Sequence, residues 1–379
     1  MSTINRKKIL FLIESLAGGG AEKVLVTLLN NLDRERFDIT LCTITDFGVN
    51  KKFLKADITY KSILKKPQSR LSKFVYKLKY KLIYSVLPLK LVYKWFVPRH
   101  NDVEVAFVEG FTTKLLSYST NSTSKKISWV HIDLLNNHWT TSVYKNLASE
   151  KNSYRKFDQV VGVSETVTSA VKELFGLKCA TTLYNPVDSD EIITKGKDDV
   201  PIESNGRFHL VSTGRLVSQK GYDRLLKIVK RLLDDSIDVE LTILGEGPDR
   251  EELQNFIDNH GLGNRVKLPG FMNNPYAFMK QCDLFVCSSR SEGYSTAVTE
   301  ALILGLPVIT TNCSGMNELL NGGEYGIITD NSEESLFTAL KELLTSPDKL
   351  SSYKHKAEER GEYFKLDNQI RKIEEFLLQ

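Results

Sequence analysis

Three short segments of this 379-residue sequence combine glycine with charged side chains just past an apolar run. The first is Ser15-Leu16-Ala17-Gly18-Gly19-Gly20-Ala21-Glu22. Its glycines let a ligand approach the backbone, and the helix N-terminus that follows attracts anions. The spacing differs from the dinucleotide fingerprint, and a tight strand-to-helix turn capped by Glu22 explains the segment equally well. The second is Gly214-Arg215-Leu216-Val217-Ser218-Gln219-Lys220-Gly221. Here Arg215 and Lys220 can converge on one polyanion, arginine as a fork and lysine as a point charge. A solvated basic loop is the alternative, but a place at the C-terminal end of a parallel strand favours ligand binding. The third runs Ser288-Ser289-Arg290-Ser291-Glu292-Gly293-Tyr294-Ser295-Thr296-Ala297-Val298-Thr299-Glu300-Ala301. Amides at its helix start, near Tyr294, Ser295 and Thr296, suit a diphosphate. Glu300 falls one to two turns inside that helix, within reach of vicinal hydroxyls, and Glu292 lies on the loop, free to meet a second polyol. Either acid alone would read as a helix cap. Together they suit a sugar-diphosphate-ribose ligand.

The elements that must position these segments alternate β-branched runs with amphipathic stretches, the pattern of βαβ units around parallel sheets. In the first half Lys8–Ile13, Asp38–Ile44, Val103–Val108, Lys126–Val130 and Gln159–Val163 read as strands, with a helix over Ala21–Leu32. In the second half Phe208–Thr213, Val239–Leu244, Val266–Leu268, Asp283–Cys287 and Pro307–Thr311 read as strands, with helices over Tyr222–Leu233 and Arg250–His260. The polar stretch Asp188–Gly206 lacks periodicity and reads as a linker. Asp367–Gln379 reads as an amphipathic helix beyond the last βαβ unit. Pattern alone predicts two Rossmann-like domains meeting at a cleft.

Composition agrees with a globular chain. Hydrophobic residues make 41% and charged residues 26%, which excludes a disordered chain, a collagen-like fibre and a disulfide-stapled module. No window approaches the ~18 uncharged apolar residues of a membrane span. Arg6-Lys7-Lys8 before Ile9–Ile13 imitates a signal peptide, but Glu14 cuts the run short and a buried strand is the better reading. Five scattered cysteines (Cys42, Cys179, Cys282, Cys287, Cys313) read as reduced core residues of a cytosolic protein. The net charge of +4 conceals an asymmetry: residues 1–185 carry 29 basic against 15 acidic side chains, and the remainder is net acidic.

The residues also resemble a family. Glu292 and Glu300 are similar to the E-x(7)-E element of retaining glycosyltransferases of family 4 (glycosyl transferases group 1). Gly214-Arg215 with Lys220-Gly221, the early Gly-Gly-Ala-Glu turn, Asn185-Pro186-Val187-Asp188 and the Gly305-Leu306-Pro307-Val308-Ile309 step match as well. The resemblance runs from Ile9 to Glu318 except for about Ile58–Asn101. It implies an α/β GT-B fold of two Rossmann-like domains facing across a cleft. These would be an acceptor-binding domain at 1–188, with 365–379 crossing back onto it, and a nucleotide-sugar-binding domain at 189–364.

Carried over residue by residue, the resemblance gives Arg215 and Lys220 the diphosphate leaving group, Glu300 the ribose hydroxyls and Glu292 the donor-sugar hydroxyls. Gly19, Gly20, Gly214, Gly293, Tyr294, Ser295 and Thr296 would complete the donor site, and the backbone around Pro269-Gly270-Phe271 would meet the base. His131 in Trp129-Val130-His131-Ile132-Asp133 looks like the family's histidine near the donor sugar. Asp133 departs from the pattern and is a candidate for acceptor contact. The implied reaction retains configuration, with the acceptor attacking from the leaving phosphate's face. No cofactor or metal is expected: Arg215 and Lys220 replace a metal's charge, and Asp188-Ser189-Asp190 reads as chance. A UDP-sugar is the commonest donor among such relatives. A GT-B epimerase and a non-catalytic sugar-nucleotide-binding subunit are the alternatives.

The departing stretch is informative in its own right. Ile58–Asn101 holds eleven basic residues and no acid. Leu71, Phe74, Val75, Leu78, Leu82 and Val86 share one helical face, flanked by Lys73, Lys77 and Lys81. Pro88 then ends or kinks the helix, and Trp95-Phe96 supply interfacial aromatics. Such a helix lies on anionic lipid, whereas nucleic acid would have no use for the aliphatic face; a helix packed on the domain with a solvated basic face is the bland alternative. The expectation is a protein peripheral to the inner face of a bacterial plasma membrane. Its acceptor would be a glycan, lipid-linked, in capsule, exopolysaccharide or O-antigen synthesis.

Overall fold

The computed structural model describes residues 6–17, 19–200 and 206–379. The chain divides into two compact units, Met1–Pro186 with Gln369–Gln379, and Val187–Asn368. The first is built on β1 (Lys7–Ile13), β2 (Phe37–Thr45), β3 (Thr59–Leu64), β4 (Val103–Ala106), β5 (Lys125–Val130), β6 (Gln159–Gly162) and β7 (Ala180–Thr182). These seven described strands run parallel in the order β3-β2-β1-β4-β5-β6-β7. The second unit holds β8 (Phe208–Thr213), β9 (Val239–Leu244), β10 (Val266–Gly270), β11 (Leu284–Cys287), β12 (Val308–Thr311) and β13 (Ile327–Thr329). Its order is β10-β9-β8-β11-β12-β13, again parallel. Both are doubly wound sheets whose direction of winding reverses once, between β1 and β4 and between β8 and β11. Ligands of such sheets bind past the strand ends at that reversal.

Buried runs explain the strands. Ile9 to Leu12 of β1 are wholly enclosed, as are Val239, Leu241 and Ile243 of β9, because parallel strands covered by helices on both faces are apolar throughout rather than alternating. The strands expected from sequence form within a residue or two. Three that sequence pattern missed, β3, β7 and β13, sit at sheet edges and are half exposed, so their apolar signal is weak.

Two expectations are corrected. The polar stretch after Val187 is not all linker, since Ser189–Lys195 is a helix whose first turn is closed by the Asp188 carboxylate accepting the Glu191 N–H at 2.9 Å. That capping bond also gives Asp188 of the Asp-Ser-Asp tripeptide a structural task. Residues 201–205 of the same stretch, and Gly18 of the early glycine turn, lie outside the described residues. Cys179 is an exposed residue in the turn before β7, not a core thiol; Cys42 and Cys287 are buried as expected.

The last helix, Leu366–Leu378, is amphipathic, and its residues from Gln369 on belong to the first unit. Buried Glu374 accepts the Asp33 N–H at 2.7 Å and pairs with Arg36 at 2.8 Å. Glu374→Ala strands that amide, and is expected to lower the unfolding free energy by about 1–3 kcal/mol, read as a shift in the urea midpoint.

Candidate functional site

The second unit brings two of the three charged segments together at its sheet reversal. The segment after β8 and the segment after β11 are seventy residues apart in sequence, yet their loops interlock. The Arg290 N–H donates to the Gln219 carbonyl at 2.7 Å, Gln219 Nε2 to the Ser291 carbonyl at 2.8 Å, and Ser288 Oγ to the Lys220 carbonyl at 2.9 Å. Gly221 is required at the crossing: its φ is +65°, and a Cβ there would stand 2.2 Å from the Ser288 carbonyl oxygen.

Two arginines that sequence reasoning missed brace these loops. Buried Arg224 donates Nε and Nη2 to the Ser288 carbonyl, and Nη2 also to the Ser289 carbonyl and the Asn331 side chain. Arg290 forks onto the Asp223 carboxylate with two 2.7 Å bonds, which hold that carboxyl below its usual range. Nothing in the local sequence announces partners more than sixty positions away.

Within this frame Lys220 Nζ lies 2.6 Å from Glu292 Oε1, which also accepts the Ser289 hydroxyl at 2.6 Å. Burial pulls the ammonium of Lys220 down, but the Glu292 carboxylate overrides it and raises the pKa. Glu292 is therefore not the free loop carboxylate expected from sequence; its nearest cation in the fold holds it. Arg215 is exposed and its guanidinium has no ion pair or hydrogen bond among the described residues. The helix Thr296–Ile303 starts just past this pair, with the Ser295 hydroxyl accepting the Val298 N–H. Glu300, in its second turn, is buried and accepts the Tyr276 hydroxyl at 3.4 Å. Tyr294 and Ser295 are buried, whereas Thr296 is half-buried. At the end of β10, Gly270 has φ +88°, its carbonyl accepts the Gly245 N–H at 3.0 Å, and Phe271 is exposed.

In the first unit Gly19 is the N-cap of the helix Gly20–Asn31, with Glu22 in its first turn. His131 directly follows β5. Its Nε2 is buried and has no hydrogen-bond partner among the described residues. Burial lowers the imidazole to about 3, and a hydrogen bond to the Phe107 carbonyl opposes this only partly, so the ring is neutral near pH 7. Glu109, not anticipated from sequence, fixes this segment. Its buried carboxylate accepts the His131 N–H at 2.9 Å and the Trp139 indole N–H at 3.2 Å. Burial raises its pKa, and those hydrogen bonds oppose the shift. The visible signal was an acid directly after an apolar strand and before Gly110. Asp133 is corrected: only 2% exposed, it accepts the N–H groups of Leu135 and Asn136 and the Asn136 side-chain amide. Its bonds shape the turn after β5 and leave it unsuited to meeting an acceptor.

The basic stretch folds as a helix over Arg70–Lys81, closed at its start by reciprocal bonds between Ser69 and Ser72. It continues through one π turn, Leu82–Val86, and Pro88 caps a second helix, Leu89–Phe96. Tyr76, Tyr80 and Tyr84, at helical spacing, form a row of rings with Phe111 and Phe47. Tyr84 donates to Glu14 at 2.6 Å. With Tyr76 and Tyr84 against the unit, the aliphatic face stays outside: Leu71 is 75% exposed, Phe74 68% and Leu78 51%. Val86 and Trp95 are also exposed. No described helix is long and apolar enough to cross a membrane.

Known proteins resemble this chain along most of its length. Residues 196–360 match the family model of glycosyl transferases group 1. The N-acetylgalactosamine-N,N'-diacetylbacillosaminyl-diphospho-undecaprenol 4-alpha-N-acetylgalactosaminyltransferase of Campylobacter jejuni is 29% identical over 367 residues, covering 94% of this chain and 96% of the relative. An uncharacterized glycosyltransferase of Haemophilus influenzae is 26% identical over 350 residues, covering 90% and 92%. Among solved structures, Anabaena HepE in complex with UDP and glucose superposes with a TM-score of 0.78 at 21% identity, covering 99% of this chain and all of that one. Staphylococcus aureus TarM gives 0.76 at 13% identity over 98% of this chain. The fold is GT-B, as the motif pattern implied.

Proposed function

We infer that this chain, a glycosyltransferase of the glycosyl transferases group 1, moves a sugar from a UDP-sugar to a lipid-linked glycan acceptor with retention of configuration. The observation that carries the donor half is the interlock at the β8–β11 reversal, which pairs Lys220 with Glu292 just ahead of the start of Thr296–Ile303. Lys220 and Arg215 stabilise the diphosphate as its charge grows, which lowers the barrier because those cations are placed before the reaction. The bond from the anomeric carbon to the phosphate oxygen breaks, the acceptor hydroxyl attacks from the same face, and its proton passes to a leaving-group phosphate oxygen. Glu300 holds the ribose and Glu292 a sugar hydroxyl. The neutral ring and unpartnered Nε2 of His131 suit a hydrogen bond to a ligand hydroxyl. Gly270 and Phe271 meet the base.

The acceptor half is supported by the Campylobacter relative, whose name specifies a diphospho-undecaprenol substrate, and by the outward apolar and basic helix Arg70–Lys81. The UDP in the HepE complex supports the base. We place the protein on the inner face of a bacterial plasma membrane, in capsule, exopolysaccharide or O-antigen assembly, working without a cofactor or metal.

Incubating purified protein with a panel of UDP-sugars and a polyprenyl-diphosphate glycan should release UDP and yield an α-linked product from an α-linked donor by NMR. Release from none of them, or an inverted product, overturns the reading. Glu300→Gln is expected to weaken UDP binding by about 1–3 kcal/mol, the worth of a charge-assisted hydrogen bond. An unchanged calorimetric affinity removes Glu300 from the ribose.

A further inference from the structure

The resting site of the second unit joins two groups that the donor needs separately. Lys220 and Glu292 form a 2.6 Å ion pair, with side chains only 22% and 10% exposed. A pair this enclosed cannot be opened on one side without cost, because the abandoned charge keeps little water to replace its partner. Among the described residues, the one other hydrogen bond to the Glu292 carboxylate comes from the Ser289 hydroxyl, at 2.6 Å.

We propose that this ion pair is a partner-exchange device that distinguishes the sugar donor from its nucleotide product. A complete sugar nucleotide satisfies both halves: its diphosphate takes Lys220 and a sugar hydroxyl takes Glu292. Free nucleoside diphosphate takes Lys220 and leaves Glu292 with Ser289 alone. The stranded carboxylate penalises product binding, so the leaving nucleotide is expelled as the pair re-forms. The proposal rests on the donor assignment given above.

Calorimetry with UDP on the whole chain separates the possibilities. In Glu292→Gln the pair is weakened, no charge is stranded, and UDP should bind roughly tenfold tighter, the equivalent of one charge-assisted hydrogen bond. Removing an acid beside an anion site could tighten UDP through space alone, so a second variant that changes no charge is needed. Ser289→Ala takes away the bond that Glu292 keeps in the UDP complex, and should weaken UDP severalfold. Thermal melts of both variants report that the fold is kept. Opposite shifts in the two variants establish the exchange. Unchanged or weaker UDP binding by Glu292→Gln, or an unchanged Ser289→Ala, overturns it. A wild type that binds no UDP overturns the donor assignment instead.

Discussion

Lys220→Ala is expected to lower turnover about 10²–10³-fold, the effect of deleting one preplaced group that stabilises charge in the transition state. The loss should fall on kcat more than on donor affinity, because the diphosphate charge grows as the glycosidic bond breaks. Arg215→Ala should act in the same direction with a smaller effect, since an exposed guanidinium is less ordered than an ammonium held at 2.6 Å. The lysine variant carries a second signature. It strands the Glu292 carboxylate, so its melting temperature should fall, whereas Arg215, which holds no partner among the described residues, should leave the melt unmoved. Chelator should leave wild-type activity largely intact. Complete loss with chelator, restored by manganese, would return Asp188 and Asp190 to consideration against the capping bond that Asp188 makes. Kinetics that show unchanged kcat and a raised KM for Lys220→Ala would remove it from the leaving group.

How much of this was legible in the sequence depends on the distance over which each interaction acts. The strands of both sheets were readable because buried parallel strands are written as local apolar runs, and edge strands such as β13 were not because half their surface is wet. Glycine-bearing loops were readable for the same reason: Gly221 is a local consequence of a left-handed φ. That Lys220 and Glu292 belong to one site also followed from their positions past two strands. That they bind one another did not, because the contact depends on how the loops after β8 and β11 interlock, and on Arg224 and Arg290 bracing them. Glu109 was overlooked because its partners are a main-chain N–H after β5 and an indole thirty residues on. The tyrosine row was hidden in plain periodicity: Tyr76, Tyr80 and Tyr84 repeat every four residues, but the neighbouring lysines and aliphatics dominated the reading of that helix.

That row determines what the basic helix can do, and the largest expected effect on binding follows from it. Since Tyr76 against Phe47, and Tyr84 against Phe111 and Glu14, hold the helix to its unit, the lysines remain outside together with Leu71, Phe74 and Leu78. A water-exposed apolar face beside unpaired cations suits a surface that is both greasy and anionic. The protein should therefore sediment with vesicles containing phosphatidylglycerol at low salt and much less with neutral ones. Each cation near such a surface contributes about 1 kcal/mol, so reversing Lys73, Lys77 and Lys81 to glutamate should lower vesicle affinity by roughly a hundredfold or more. None of the three contributes to the tyrosine row, so the melting temperature and the UDP affinity should stay those of the wild type. Leu71→Ser with Phe74→Ser should weaken binding in high salt as well, where screening suppresses the lysine contribution but not burial. If the triple variant binds vesicles as tightly as the wild type, the helix is a structural element with a solvated basic face, and the lipid-linked acceptor loses the part of its support that comes from this chain.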